Sequence, residues 1–99
     1  MSLRKGYRMN RVRKRIIFYG RVQGVGFRYR ARYIAESLGI TGWVRNCYDG
    51  SVEMEAQGTE AGIYRMIAEL KNQRFIEIDD VDMKEINLEH ENSFSVRGW

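Results

Sequence analysis

The 99-residue sequence is long enough for one domain with a hydrophobic core and too short for two. Hydrophobic residues make up 43% and charged residues 30%, which excludes a disordered or fibrous chain. Since no apolar run approaches the ~20 residues that a membrane-spanning helix needs, we expect no membrane partner. The single cysteine, Cys47, cannot form an internal disulfide, so we expect a cytoplasmic protein, which we take to be a monomer.

The net charge of +4 is unevenly distributed along the chain. Residues 1–15 hold seven Lys and Arg and no acidic residue, whereas the rest holds ten basic against thirteen acidic residues, a net charge of −3. We therefore predict a flexible basic N-terminal arm over residues 1–12 and a folded domain over 13–99. Because a basic arm could bind nucleic acid, a nucleic-acid-binding module is one alternative function.

The first half of the chain predicts a strand, a glycine-rich loop and a helix. Lys14–Tyr19 is predicted as a strand, because its residues Ile16–Tyr19 are apolar on both faces, as in a central strand. The loop Gly20–Gly26 contains three glycines in seven residues. A helix over Phe27–Leu38 is indicated by an apolar stripe, and Gly39 is placed to end it.

Two strands, Thr41–Cys47 and Ser51–Gln57, flank an Asp49-Gly50 pair that is typical of a hairpin turn. The second strand alternates between two faces. We expect its core to comprise Val52, Met54 and Ala56. We expect its water-facing side to comprise Ser51, Glu53, Glu55 and Gln57.

The second half predicts a helix capped by Thr59, a long strand and a short last strand. Ile76–Leu88 contains the long strand, and a change in its apolar phase predicts a bulge or turn near Lys84–Glu85. A last strand around Phe94 follows. The order strand, helix, strand, strand, helix, strand predicts an α+β, ferredoxin-like βαββαβ sandwich, with two helices on one face of an antiparallel sheet.

The segment Gly20–Arg28 has the features of an anion-binding loop. Its glycines let successive backbone N–H groups point into one concavity. The helix that follows adds unpaired N–H groups and a partial positive charge at its start. Arg28, in the first turn, adds a permanently charged forked donor. These features favour a small, phosphate-like anion as the ligand.

Gly20-Arg21-Val22-Gln23-Gly24-Val25-Gly26-Phe27-Arg28 resembles the signature loop of the acylphosphatase family. A second block resembles the same family: Gly42-Trp43-Val44-Arg45-Asn46, then Asp49-Gly50-Ser51-Val52-Glu53 and Gln57-Gly58. The resemblance spans about Arg15–Trp99. It departs from the family at 72–75, where glycine and proline are common and this chain has Asn72-Gln73-Arg74-Phe75.

The resemblance implies an enzyme that hydrolyses the carboxyl–phosphate bond of acyl phosphates without a metal or cofactor. It assigns phosphate binding to Arg28 and to the backbone of Arg21, Val22, Gln23, Gly24, Val25 and Gly26. It assigns orientation of the attacking water to Asn46. A non-catalytic domain that binds acyl phosphates is the second alternative function.

Other polar residues are weaker candidates. His90 is far along the chain from both blocks, and we expect it in a surface loop. Asp79, Asp80 and Asp82 lack the ligand spacing of a zinc or calcium site. We expect Trp43 and Phe27 to pack in the core rather than to stack on bases. Because the strand Ser51–Gln57 has no aromatic residue, a sheet surface that binds RNA is disfavoured, and no nucleic-acid partner is expected.

Overall fold

The computed structural model describes residues 10–98, which form two helices and five strands. In chain order these are β1 (Arg11–Arg21), α1 (Phe27–Ser37), β2 (Thr41–Asn46), β3 (Val52–Thr59), α2 (Glu60–Lys71), β4 (Glu77–Ile86) and β5 (Phe94–Arg97). The strands form one sheet in the order β4-β1-β3-β2-β5. The predicted ferredoxin-like α+β fold is confirmed, with one correction: β5 pairs parallel to β2, so the sheet is mixed.

The predicted N-terminal arm lies largely outside the described residues, which exclude 1–9. Strand β1 already begins at Arg11, which pairs with Thr59 of β3. The boundary between arm and domain stays a prediction.

The hydrophobic core lies between one face of the sheet and both helices. The β1 residues Ile16 and Phe18 are fully buried and pair with Met54 and Val52 of β3. Both predicted helical stripes face this core. The stripe of α1 buries Phe27, Ala31, Ile34 and Ala35, and the stripe of α2 buries Ile63, Met66, Ile67 and Leu70. Apolar burial on this one face holds the layers together.

The local signals for the second helix and the hairpin are confirmed. Thr59 Oγ1 accepts a hydrogen bond from the Gly62 N–H at 3.0 Å, which caps α2. In the turn between β2 and β3, the Asp49 carboxylate accepts from both the Ser51 N–H and the Ser51 hydroxyl, at 2.9 and 2.6 Å. Gly50 adopts a φ of 92°, which a residue with a side chain rarely adopts.

The prediction of a water-facing side on β3 is wrong for three of its four residues: Ser51, Glu53 and Gln57 are buried. Arginines from the neighbouring strands cover Glu53. Arg15 donates to one of its carboxylate oxygens at 2.6 Å, and Arg45 donates to the other at 2.7 Å. A polar face of β3 is thus buried under guanidinium groups that form ion pairs with it.

The side chain of Arg13 is fully buried on the same face of the sheet. It donates to Glu55 at 2.8 Å, to Glu91 at 2.6 Å and to Gln57 at 3.1 Å. Gln57 also exchanges hydrogen bonds with the backbone of Glu89, at 2.8 and 2.9 Å. Hydrogen bonds of Glu89 and Glu91 therefore hold the segment between β4 and β5 against this polar face.

The prediction of a bulge at Lys84–Glu85 is also wrong. Pairing between β1 and β4 is regular there, and the register shifts instead opposite Tyr19 and Gly20, where Asp79 is the extra residue. The alternation of apolar residues along this strand shifts at Ile86 for another reason. Ile86 pairs with Arg13, and directly opposed side chains share a face, so Ile86 lies on the polar face.

Glu53→Gln should reduce stability more at neutral pH than in acid. Burial raises the pKa of the Glu53 carboxyl, and hydrogen bonds from Arg15 and Arg45 outweigh this and hold its pKa below the ordinary value. A carboxyl whose pKa is lower in the folded chain stabilises the fold above its unfolded pKa of about 4.3, and this contribution is lost as the pH falls through the folded value. We expect a loss of about 1–3 kcal/mol at pH 7.

Urea unfolding at pH 7 and at pH 2.5 measures this difference. Glu77→Gln is the control, because Glu77 is exposed on β4. An equal effect of Glu53→Gln at both pH values would contradict the account.

Candidate active site

The two sequence blocks meet at one end of the sheet. Strand β1 is antiparallel to β3, and β3 is antiparallel to β2. Because β1 and β2 therefore run in the same direction, the loop after Arg21 and the residue Asn46 lie at the same edge.

The end of β1 packs closely against β4, and the loop that follows enters α1 through a left-handed glycine. A Cβ at Gly20 would lie 2.2 Å from the Glu77 carbonyl oxygen, so no side chain fits there. Gly26 is the N-cap of α1 with a φ of 78°, and no side chain among residues 10–98 caps this helix. The first turn of α1 contains no acidic residue. The N-terminal amides of α1 and their partial positive charge are therefore available to a ligand.

The backbone amides of the loop are also available. Within residues 10–98, none of the N–H groups of residues 23–26 donates a hydrogen bond to another protein group. Unpaired amides in a glycine-rich turn are suited to an anion.

The side chain of Gln23 connects the loop to the β2–β3 turn. Its Nε2 donates to the Cys47 carbonyl at 2.7 Å and to the Ser51 carbonyl at 2.8 Å. Gln23 was predicted to contribute its backbone to the site. Its side chain, which the prediction did not use, fixes the loop beside Asn46.

A pocket of about 110 Å³ lies between the loop, the start of α1 and the end of β2. It is lined by Val22, Gly24, Gly26, Phe27, Arg28, Tyr29 and Asn46. The amide oxygen of Asn46 is buried and has no hydrogen-bond partner within the described residues. A buried acceptor without a donor is costly, by about 1–3 kcal/mol, and is a common sign of a ligand or water position.

Strand β5 orients the Arg28 side chain. Its Nη1 donates to the Arg97 carbonyl at 2.9 Å, and the other N–H donors of the guanidinium have no partner among the described residues. The Arg97 guanidinium in turn lies 4.5 Å from the centroid of the Trp43 ring. Trp43 is only partly buried and lies outside the core, so its predicted core role is wrong. Phe27 does pack in the core, as predicted.

The structure divides the predicted site residues into two groups. Val22, Gly24, Gly26, Arg28 and Asn46 line one pocket. The side chains of Arg21, Gln23 and Val25 do not line it, since Arg21 is exposed, Gln23 binds the turn and Val25 lines a different pocket.

Sequence reasoning missed Tyr29 in the pocket, although its position directly after Arg28 was a usable signal.

The other candidate groups lie apart from the pocket. His90, Asp79, Asp80 and Asp82 are exposed, as expected for surface positions. Across residues 10–98, no group of three His, Cys, Asp or Glu side chains is arranged to hold a metal ion. In that same part of the chain, neither helix is long and apolar enough to cross a membrane.

Fold and site define an α+β sandwich with a glycine-loop pocket that presents amides, a guanidinium and a buried carboxamide. The family model for acylphosphatases matches residues 14–96. An acylphosphatase of Clostridium acetobutylicum is 46% identical over 79 residues, which cover 78% of this chain and 87% of the relative. An acylphosphatase of Bifidobacterium longum is 44% identical over 91 residues, which cover 89% and 94%. The crystal structure of acylphosphatase from Bacillus subtilis superposes with a TM-score of 0.82 at 38% identity, covering 88% of this chain and 99% of that one.

The chain belongs to the acylphosphatase family. The predictions of this family, of its fold and of a hydrolase are therefore confirmed.

Gln23→Met should destabilise the fold through the loop. The substitution keeps the side-chain volume but removes both hydrogen bonds to the Cys47 and Ser51 carbonyls, and we expect a loss of about 1–3 kcal/mol in the free energy of unfolding. Urea denaturation measures it. Gln73→Met is the matched control, since Gln73 donates only one bond, of 3.1 Å, to a helix carbonyl. If Gln23→Met were as stable as the wild type, the hydrogen bonds of Gln23 to the β2–β3 turn would not contribute to stability.

Proposed function

We propose that the chain hydrolyses acyl phosphates to a carboxylate and inorganic phosphate, with Arg28 and the loop amides as phosphate ligands and Asn46 as the residue that orients water. This proposal rests on one observation. Asn46, whose buried Oδ1 has no hydrogen-bond partner among the described residues, lines the same pocket as the loop glycines and Arg28. A water molecule that donates to Oδ1 satisfies this acceptor and is held beside the bound phosphoryl group.

Phosphate binding in this proposal relies on fixed donors. The amides of residues 21–26, the start of α1 and the Arg28 guanidinium surround the phosphoryl oxygens. In a loose transition state, negative charge is spread over three equatorial oxygens, which such a ring of donors stabilises. Because a carboxylate is a good leaving group, positioning and charge stabilisation are the main requirements of the reaction.

The chemical step is an in-line displacement at phosphorus. The water oxygen forms a new P–O bond while the bond from phosphorus to the carboxyl oxygen breaks, and its electron pair leaves with the carboxylate. One water proton stays on the new P–OH group, and the other passes to a phosphoryl oxygen, giving dihydrogen phosphate. The substrate serves as its own base because none of the described residues that line the pocket carries a carboxylate or imidazole, and a carboxamide such as Asn46 is a poor base.

The partner in this proposal is a small-molecule acyl phosphate, and the protein acts as a cytoplasmic monomer. The free thiol of Cys47 supports this compartment, because the described fold contains no disulfide to maintain.

Asn46→Ala should separate binding from turnover. We expect kcat for acetyl phosphate to fall at least about 100-fold, because the water loses its orienting acceptor. The inhibition constant of inorganic phosphate should change less than about threefold, because the phosphate ligands remain. Steady-state hydrolysis with phosphate as competitive inhibitor measures both quantities. An equal loss of phosphate affinity and turnover would contradict the role of Asn46.

Arg28→Ala should instead weaken both phosphate affinity and turnover. Arg32→Ala is the control, because it removes the same charge from the exposed face of α1. Full activity of Arg28→Ala would refute the assignment. Phosphate binding by the wild type without hydrolysis of any acyl phosphate would favour the non-catalytic alternative.

A further inference from the structure

A second pocket, of about 290 Å³, adjoins the loop. It is lined by Val25, Arg30, Gln73, Arg74, Phe75 and Ile76. Val25 stands between the two glycines that line the first pocket, so both pockets share the loop as a wall. Its lining contains no acidic residue.

The two arginines of this pocket have no carboxylate partner within residues 10–98. Arg32, on the same helix as Arg30, forms an ion pair with Glu36 at 3.2 Å. Arg30 forms no such pair, and the guanidinium of Arg74 only faces the Phe75 ring at 5.8 Å. Unpaired guanidiniums beside an exposed aromatic ring and apolar walls suit an organic anion.

The topology places this pocket across the loop from Asn46. Strand β1 lies between β3 and β4. The β2–β3 turn, which carries Asn46 and binds Gln23, flanks the loop on one side. Residues 73–76 lead into β4 and flank it on the other side. In an in-line displacement the leaving group departs opposite the attacking water. For a water held by Asn46, the acyl group would leave on the side of the loop away from Asn46, which is the side of the second pocket.

We propose that the second pocket binds the acyl group, and that Arg30 and Arg74 select acyl phosphates whose acyl group carries a second negative charge. The inference rests on the proposed function and extends it to substrate class. A carboxylate or phosphate on the acyl chain offers the two oxygens that a guanidinium binds in parallel.

Succinyl phosphate, which carries a carboxylate, and acetyl phosphate, which carries none, test this selection. The wild type should show a higher kcat/KM for succinyl phosphate. Arg30→Gln and Arg74→Gln should each lower the ratio of the two kcat/KM values about tenfold, mainly through the KM of succinyl phosphate, because each removes one charge-assisted contact. Arg32→Gln is the matched control and should leave the ratio unchanged.

The outcomes distinguish this inference from the proposed function. If the wild type hydrolyses both substrates and the ratio is unchanged in Arg30→Gln and Arg74→Gln, this inference is overturned while the proposed function stands. Benzoyl phosphate has an uncharged aromatic acyl group. If Arg30→Gln and Arg74→Gln lowered kcat/KM for benzoyl phosphate as much as for succinyl phosphate, the pocket would act by apolar stacking and not by charge selection, which would also overturn this inference. If the wild type hydrolyses none of the three, both fail.

Discussion

Two hydrogen bonds from one side chain set the geometry of the site. Gln23 Nε2 binds the Cys47 and Ser51 carbonyls, so the loop after β1 is held against the β2–β3 turn. The strand order brings these elements to one end of the sheet, but it does not by itself fix the loop beside Asn46. Asn46 and the loop glycines line one pocket, and this link holds the loop against the turn that directly follows Asn46.

The distribution of charge pairs leaves this end of the domain open to anions. On the polar face of the sheet, carboxylates neutralise Arg13, Arg15 and Arg45, and these ion pairs connect neighbouring strands. Around the loop, Arg28 donates to a backbone carbonyl and Arg30 has no acidic partner among the described residues. Positive charge that is unneutralised by the protein is available to a substrate. A domain that is mildly acidic apart from its N-terminus can therefore still present a cationic site.

The sequence predicts most of the fold because its signals are local. Helical spacing and the Thr59 cap define α2, and the family resemblance supplied Arg28 and Asn46 as candidate site residues. The errors concern contacts between strands. Alternation along β3 cannot show that Glu53 is buried, since its arginine partners come from β1 and β2. The phase change at Ile86 reflects packing on the polar face, which a single strand does not reveal.

In the proposed function, main-chain amides at the loop and at the start of α1 hold the phosphoryl group. Titration of the ¹⁵N-labelled protein with inorganic phosphate, followed by amide NMR shifts, tests it most directly. We expect the largest saturable shifts on the backbone amides of residues 22–28, with the Asn46 side-chain amide also perturbed. Saturable shifts confined to other residues, or no saturable shift in the loop, would contradict it.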